Sequence, residues 1–128
     1  MPMRGVRGAT AAAENDAASI LAATAALLRD LVAANGIASA DLAAAMFTVT
    51  DDLNAAFPAQ AARQLGWENV PLLDAREIPV PGSLPRCIRV LLLWNTDRAQ
   101  DEIVHVYQNG AEHLRPDLAR TVAKGDRG

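Results

Sequence analysis

The sequence predicts an α+β fold in which a mixed β-sheet carries helices on one face. Three observations lead there: one long segment with apolar residues at helical spacing, several short apolar or β-branched runs, and Gly, Pro, Asp and Asn punctuation between them. In order, the elements read β-α-β-α-β-β-β.

Residues 3–9, Met3-Arg-Gly-Val-Arg-Gly-Ala, alternate weakly and predict a short first strand. Residues 16–35 predict an amphipathic helix, because Ile20, Ala23, Leu27, Leu28, Leu31 and Val32 recur on one face. Asn15 or Asp16 can accept from its first free amides, and Gly36 is the expected stop. Ser39-Ala-Asp-Leu reads as a turn or helix start. Met46-Phe-Thr-Val-Thr is β-branched and aromatic and predicts a strand, closed by Asp51, Asp52 and Asn54. A short helix is expected from Pro58 to about Leu65, with Gly66 ending it. Val70–Ile78 is the next strand, followed by a stiff connection through Pro79, Pro81, Gly82 and Pro85. Cys87–Asn95 is almost wholly apolar and is expected at the centre of the sheet. Ile103–Tyr107 and Ala111–Leu114 flank Asn109-Gly110, which predicts a hairpin.

The 128 residues fit one domain, expected over residues 1–118, with a flexible tail at 119–128. Hydrophobic residues make up 51% of the chain but aromatics only 4%. A core of small side chains buries little area per residue, and association between copies would add to it. The net charge of −3, with no cluster of Lys and Arg, argues against a nucleic-acid partner. A single cysteine, Cys87, excludes an internal disulfide and a cysteine-cluster metal site. No apolar run follows the amino-terminal charges, and Val90–Trp94 is too short to span a bilayer. A cytoplasmic protein without membrane contact is the expectation.

No phosphate loop, zinc motif or nucleophile elbow is present. His105 and His113 are the only histidines and read as ordinary strand residues. Arg89 is more informative, because it shares a strand face with Cys87, Leu91 and Leu93. Its permanent charge demands an acceptor when buried. A structural ion pair, a side chain snorkelling at the sheet edge and an anion site all meet that demand. Alternation places Glu77 with Leu73 and Ala75, and Asp74 with Leu72 and Arg76. Spacing alone does not make Asp74 and Glu77 an acid–base pair. Arg4, Arg7, Arg63, Arg115 and Tyr107 are uninformative singly.

The fragments Arg4-Gly-Val-Arg-Gly-Ala-Thr, Thr48-Val-Thr-Asp-Asp-Leu-Asn-Ala-Ala-Phe-Pro-Ala, Gly66-Trp, Val70-Pro, Arg86-Cys-Ile-Arg-Val, His105-Val-Tyr and Leu114-Arg-Pro-Asp-Leu are spread over residues 3–118. Taken in that order, they resemble the small trimeric chorismate mutases of the Bacillus type. The resemblance implies a homotrimeric pseudo-α/β barrel with active sites between adjacent subunits, and neither cofactor nor metal. It implies rearrangement of chorismate to prephenate in aromatic amino-acid biosynthesis. Arg7, Glu77, Arg89, Tyr107 and Leu114 match pocket positions, and Arg115 matches a residue at the mobile end. Phe57, Arg63 and the stretch Leu73, Asp74, Ala75 match positions contributed across the interface, with Arg76 adjoining them. By the same resemblance Arg7, Glu77 and Arg89 are the catalytic residues.

The chain departs from the family pattern at a few of these positions. Asp74 stands where a pocket cysteine is usual, Leu73 where threonine is common, and Gln60 where lysine can occur. An aspartate close to Glu77 is expected to leave one carboxyl with a raised pKa. It also opens a second expectation, a non-catalytic or repurposed trimeric binder of a chorismate-like dianion.

Overall fold

A computed structural model describes residues 1–114. Arg115 and the expected tail at 119–128 lie outside the described residues. The elements are β1 (Met3–Ala11), α1 (Ala17–Asn35), β2 (Leu42–Val49), α2 (Ala59–Gln64), β3 (Leu72–Arg76), β4 (Cys87–Asn95) and β5 (Val106–Tyr107). Short 3₁₀ turns cover Ser39–Asp41, Gln100–Glu102 and Ala111–His113.

α1 begins and ends where its sequence signals lie. Asp16 Oδ1 accepts from the Ser19 amide at 2.7 Å, which holds this exposed carboxyl below the usual aspartate value. Gly36 takes the left-handed conformation at φ 72°, and its amide donates to Val32 O at 2.8 Å. Asn15 serves elsewhere, accepting from the Asn54 and Ala55 amides. α2 starts directly after Pro58, and Gly66, at φ 94°, turns the chain away from it.

The strands form one five-stranded sheet in the order β3-β2-β4-β1-β5. β4 is central, as its continuous apolar character predicts, and pairs antiparallel with β1 and β2. The outer pairs, β2–β3 and β1–β5, are parallel. Alternation then sorts every strand. Val6, Ala45, Phe47, Val90, Leu92 and Trp94 form a buried core with Leu27, Leu28 and Leu31 of α1 and Ala59 and Ala62 of α2. Both helices therefore cover the same face of the sheet.

Gly8 sets how closely α1 approaches. A Cβ placed there would stand 2.8 Å from a methyl of Leu31 and 3.2 Å from methyls of Leu27 and Val90. With 19 residues and a mean hydropathy of 1.6, α1 has the length and composition to cross a membrane. Its apolar face, Ile20, Leu27, Leu28 and Leu31, is instead fully buried within the fold.

Two sequence expectations need correcting. β2 starts at Leu42, ahead of the β-branched run, because Leu42, Ala44 and Ala45 already pair with β4. The hairpin at Asn109-Gly110 does not form. Both residues have positive φ (56° and 94°), but Ala111 buries beside Ala9 and Tyr107, which carries the chain across the sheet face rather than alongside β5. β5 itself is short and runs parallel to β1.

Candidate active site

The sheet face opposite the helices carries the candidate residues in rows set by strand register. One row crosses all five strands: Ala75, Thr48, Arg89, Ala9 and Tyr107 are successive cross-strand partners. The next row is Leu73, Met46, Leu91 and Arg7. Residues in register on one face stand side by side, so side chains far apart in sequence become neighbours. Glu77 follows the end of β3, and its amide continues the alignment by donating to Val49 O at 2.9 Å.

Arg7, Met46, Thr48, Glu77, Arg89, Val90 and Leu91 line a cavity of about 260 Å³ on this face. Arg89 Nε lies 2.8 Å from Glu77 Oε2. Its N–H is not aimed along that contact, so charge holds the pair rather than a linear hydrogen bond. The Thr48 hydroxyl also donates to Glu77 Oε2. Both contacts use the same carboxylate oxygen, and Oε1 has no protein partner among the described residues. The Arg89 side chain keeps 38% of its surface and that of Glu77 19%. This is a partly open pair, and a ligand carboxylate or polarised oxygen can compete for the guanidinium. Tyr107 is buried on β5 beside Ala9, with Leu84 and Leu114 packed against it.

Of the remaining candidates, Phe57, Arg63, Asp74 and Arg76 lie on the other side of the sheet. Phe57, Asp74, Ala75 and Arg76 line a larger cleft of about 620 Å³ with Leu21, Leu53 and Pro58. Although larger, this cleft lacks Arg89, Glu77 and Arg7. Asp74 faces α2, where its Oδ1 accepts from the Ala59 amide at 3.1 Å. Burial pushes its carboxyl above the ordinary aspartate value, opposed by the Ala59 amide and the positive charge of Arg63. Within the chain, then, the raised value comes from desolvation and not from Glu77, which strand alternation sends to the opposite face. Arg76 is held at the surface by Asp51, at 2.8 Å. Arg63 is exposed on α2, and Phe57 is 68% exposed.

One chain thus gathers Arg7, Glu77 and Arg89, with Tyr107 and Leu114 alongside, and holds Phe57, Arg63, Asp74 and Arg76 apart from them. Thr48 was not singled out from sequence, although its place in the alternation of Met46, Thr48 and Thr50 against Phe47 and Val49 carries the signal. Cys87 is buried at the end of β4, where desolvation pushes its thiol up to about 11, so it remains a protonated packing residue. Among the described residues no three His, Cys, Asp or Glu side chains gather as metal ligands.

Comparison with known proteins identifies the family. A family model described as Chorismate mutase type I matches residues 3–118. A Thermus thermophilus protein, Chorismate mutase AroH, is 59% identical over 117 residues, covering 91% of this chain and 96% of the relative. The Bacillus subtilis protein of the same name is 41% identical over 122 residues, covering 94% and 96%. A solved structure titled as a chorismate mutase from Clostridium thermocellum superposes with a TM-score of 0.84 at 48% identity, covering 86% of this chain and 98% of that one. The chain belongs to the type I chorismate mutase family.

Proposed function

We propose that the chain is an isomerase converting chorismate to prephenate, and that Arg89 is the group carrying most of the catalysis. The observation behind this is the pairing of Arg89 with Glu77 in a cavity that Arg7 also lines. The reaction is an intramolecular Claisen rearrangement. The ether C–O bond breaks as a C–C bond forms, with no net proton or electron transfer. The protein's work is to hold the reactive chair-like conformer and to meet the negative charge growing on the ether oxygen.

Arg89 donates to that oxygen from a position already set by β4 and by Glu77, so little reorganisation is needed at the moment of reaction. Glu77 accepts from the substrate hydroxyl, and Thr48 and Arg89 fix its rotamer through Oε2. Arg7 and Tyr107 hold the substrate carboxylates, joined by Leu114 as an apolar wall; the family resemblance alone adds Arg115. Such a step serves phenylalanine and tyrosine biosynthesis in the cytoplasm.

The assembly in this reading is a homotrimer. Leu73, Met46 and Leu91 keep 57%, 43% and 37% of their surface on the open sheet face, an apolar patch that suits burial against other copies. Phe57, Arg63, Leu73, Asp74 and Ala75 then complete the cavity of the neighbouring subunit, which the same chain's sheet prevents Phe57, Arg63 and Asp74 from doing at home. The binder reading, motivated by Asp74 in place of the usual pocket cysteine and by Leu73, finds no support, because the relatives matched along nearly the whole chain are chorismate mutases by name. Incubation with chorismate, following loss of diene absorbance and identifying the product, tests the proposal. Prephenate formed by the wild type and lost in Arg89→Ala supports it; unchanged chorismate with folded protein overturns it.

A further inference from the structure

We propose that His105 is a positioning residue for Arg7, an inference that rests on the mutase reading of the cavity. β5 pairs with β1 only at Gly8 and Ala9, and the Gln108 amide donates to Ala9 O at 3.0 Å. The Arg7 amide lies one residue before that ladder. Instead of a backbone carbonyl it finds the ring of His105, donating to Nδ1 at 2.9 Å. A nitrogen that accepts from an amide carries no proton, so the ring is the neutral tautomer with hydrogen on Nε2.

The backbone on both sides of His105 is anchored. Asn35, the buried last residue of α1, grips both backbone groups of Val104: Oδ1 accepts from the Val104 amide at 2.8 Å, and Nδ2 donates to Val104 O at 2.8 Å. Val106, on the other side, belongs to the ladder with β1. His105 is itself buried between these anchors. A chain of contacts therefore runs from the end of α1 through Val104 and the imidazole to the backbone of Arg7, whose side chain lines the cavity with Arg89. The function of the ring is to fix the register of β1 where the carboxylate-binding guanidinium leaves it.

Three variants separate this from a packing role. His105→Leu fills the space without an acceptor, His105→Asn returns an oxygen near the Nδ1 position, and His105→Gln places one nearer Nε2. Each is made in the wild type and in Arg7→Ala, and kcat and KM for chorismate are measured alongside Tm and Arg7 amide hydrogen exchange. Small misplacement of a positioning group can cost about a hundredfold. His105→Leu and His105→Gln should lower kcat/KM by about ten- to a hundredfold, with KM raised and kcat reduced, and His105→Asn should recover most of it. In Arg7→Ala, His105→Leu should cost less than about twofold more, since residues acting through one another are not additive.

Loss of Tm with unchanged kcat and KM overturns the proposal, as does an equal loss in both backgrounds. A wild type inactive on chorismate sinks the mutase reading instead. Amide exchange judges the contact in either case: Arg7 should exchange faster in His105→Leu and recover in His105→Asn, and unchanged exchange overturns the inference.

Discussion

At the scale of single residues, Arg89 and Asp74 illustrate opposite relations between environment and role. Arg89 sits on the polar row of an otherwise apolar strand, with a carboxylate to hold it and room beside it for a ligand. Removing a donor of this kind costs about 10²–10³ in kcat, or about 3–4 kcal/mol, and Arg89→Ala should show that loss. Arg89→Lys should recover little of it, because an ammonium cannot reproduce the planar guanidinium fork. Asp74 faces the helices, and its carboxyl is desolvated. Its folded pKa lies above the unfolded one, so ionisation opposes folding at neutral pH, and the penalty fades as pH falls through the raised value toward about 3.9. Asp74→Asn keeps an oxygen for the Ala59 amide without the charge. It should melt above the wild type near pH 7, and the gap in Tm should close as pH approaches about 4. The division of Asp74 from Glu77 was legible in strand alternation alone. The partner of Asp74 was not, because Ala59 lies fifteen residues away and reaches it only once α2 has packed on β3.

Among the elements, what could be read from sequence depended on whether a signal was local. The start and stop of α1 are properties of Asp16 and Gly36, and both act as their chemistry predicts. The span of β4 follows from its unbroken apolar run. The Asn109-Gly110 pair misled because it specifies only a reversal, and burial of Ala111 against Tyr107 then decided where the chain went. The two glycines of β1 likewise look equivalent in sequence and are not. Gly8 lies under Leu31 and Leu27, whereas Gly5 faces Leu91 at an ordinary 3.6 Å. Gly8→Ala should destabilise by about 1–3 kcal/mol in urea or thermal unfolding, as overpacked cores do. Gly5→Ala should fall within about 0.5 kcal/mol of the wild type on packing grounds.

At the scale of the whole molecule, the sheet divides the candidate residues. Arg7, Glu77, Arg89 and Tyr107 belong to the open face, and Phe57, Arg63 and Asp74 to the side that the helices cover. Composition hinted at this arrangement, since an alanine-rich chain gains by burying its apolar sheet face against copies of itself. Which residues meet across such an interface is a property of the assembly, and only the ordered resemblance to a family pointed to it. Complementation follows directly. If the assembly is the proposed trimer, Arg89→Ala and Arg63→Ala proteins should each be weak, and exchanging their subunits should restore part of the activity, because some hybrid interfaces carry neither substitution. Native mass spectrometry can verify that subunits have exchanged; mixed trimers without recovered activity would count against a shared site, given that Arg63→Ala alone is impaired. The most direct measurement is the fate of chorismate with the purified wild type and Arg89→Ala side by side. Prephenate from the first, at a rate about 10²–10³ above the second, is the predicted result. Unreacted chorismate from a folded wild type, or equal rates from the two proteins, would contradict the role assigned to Arg89 and to the cavity it shares with Glu77.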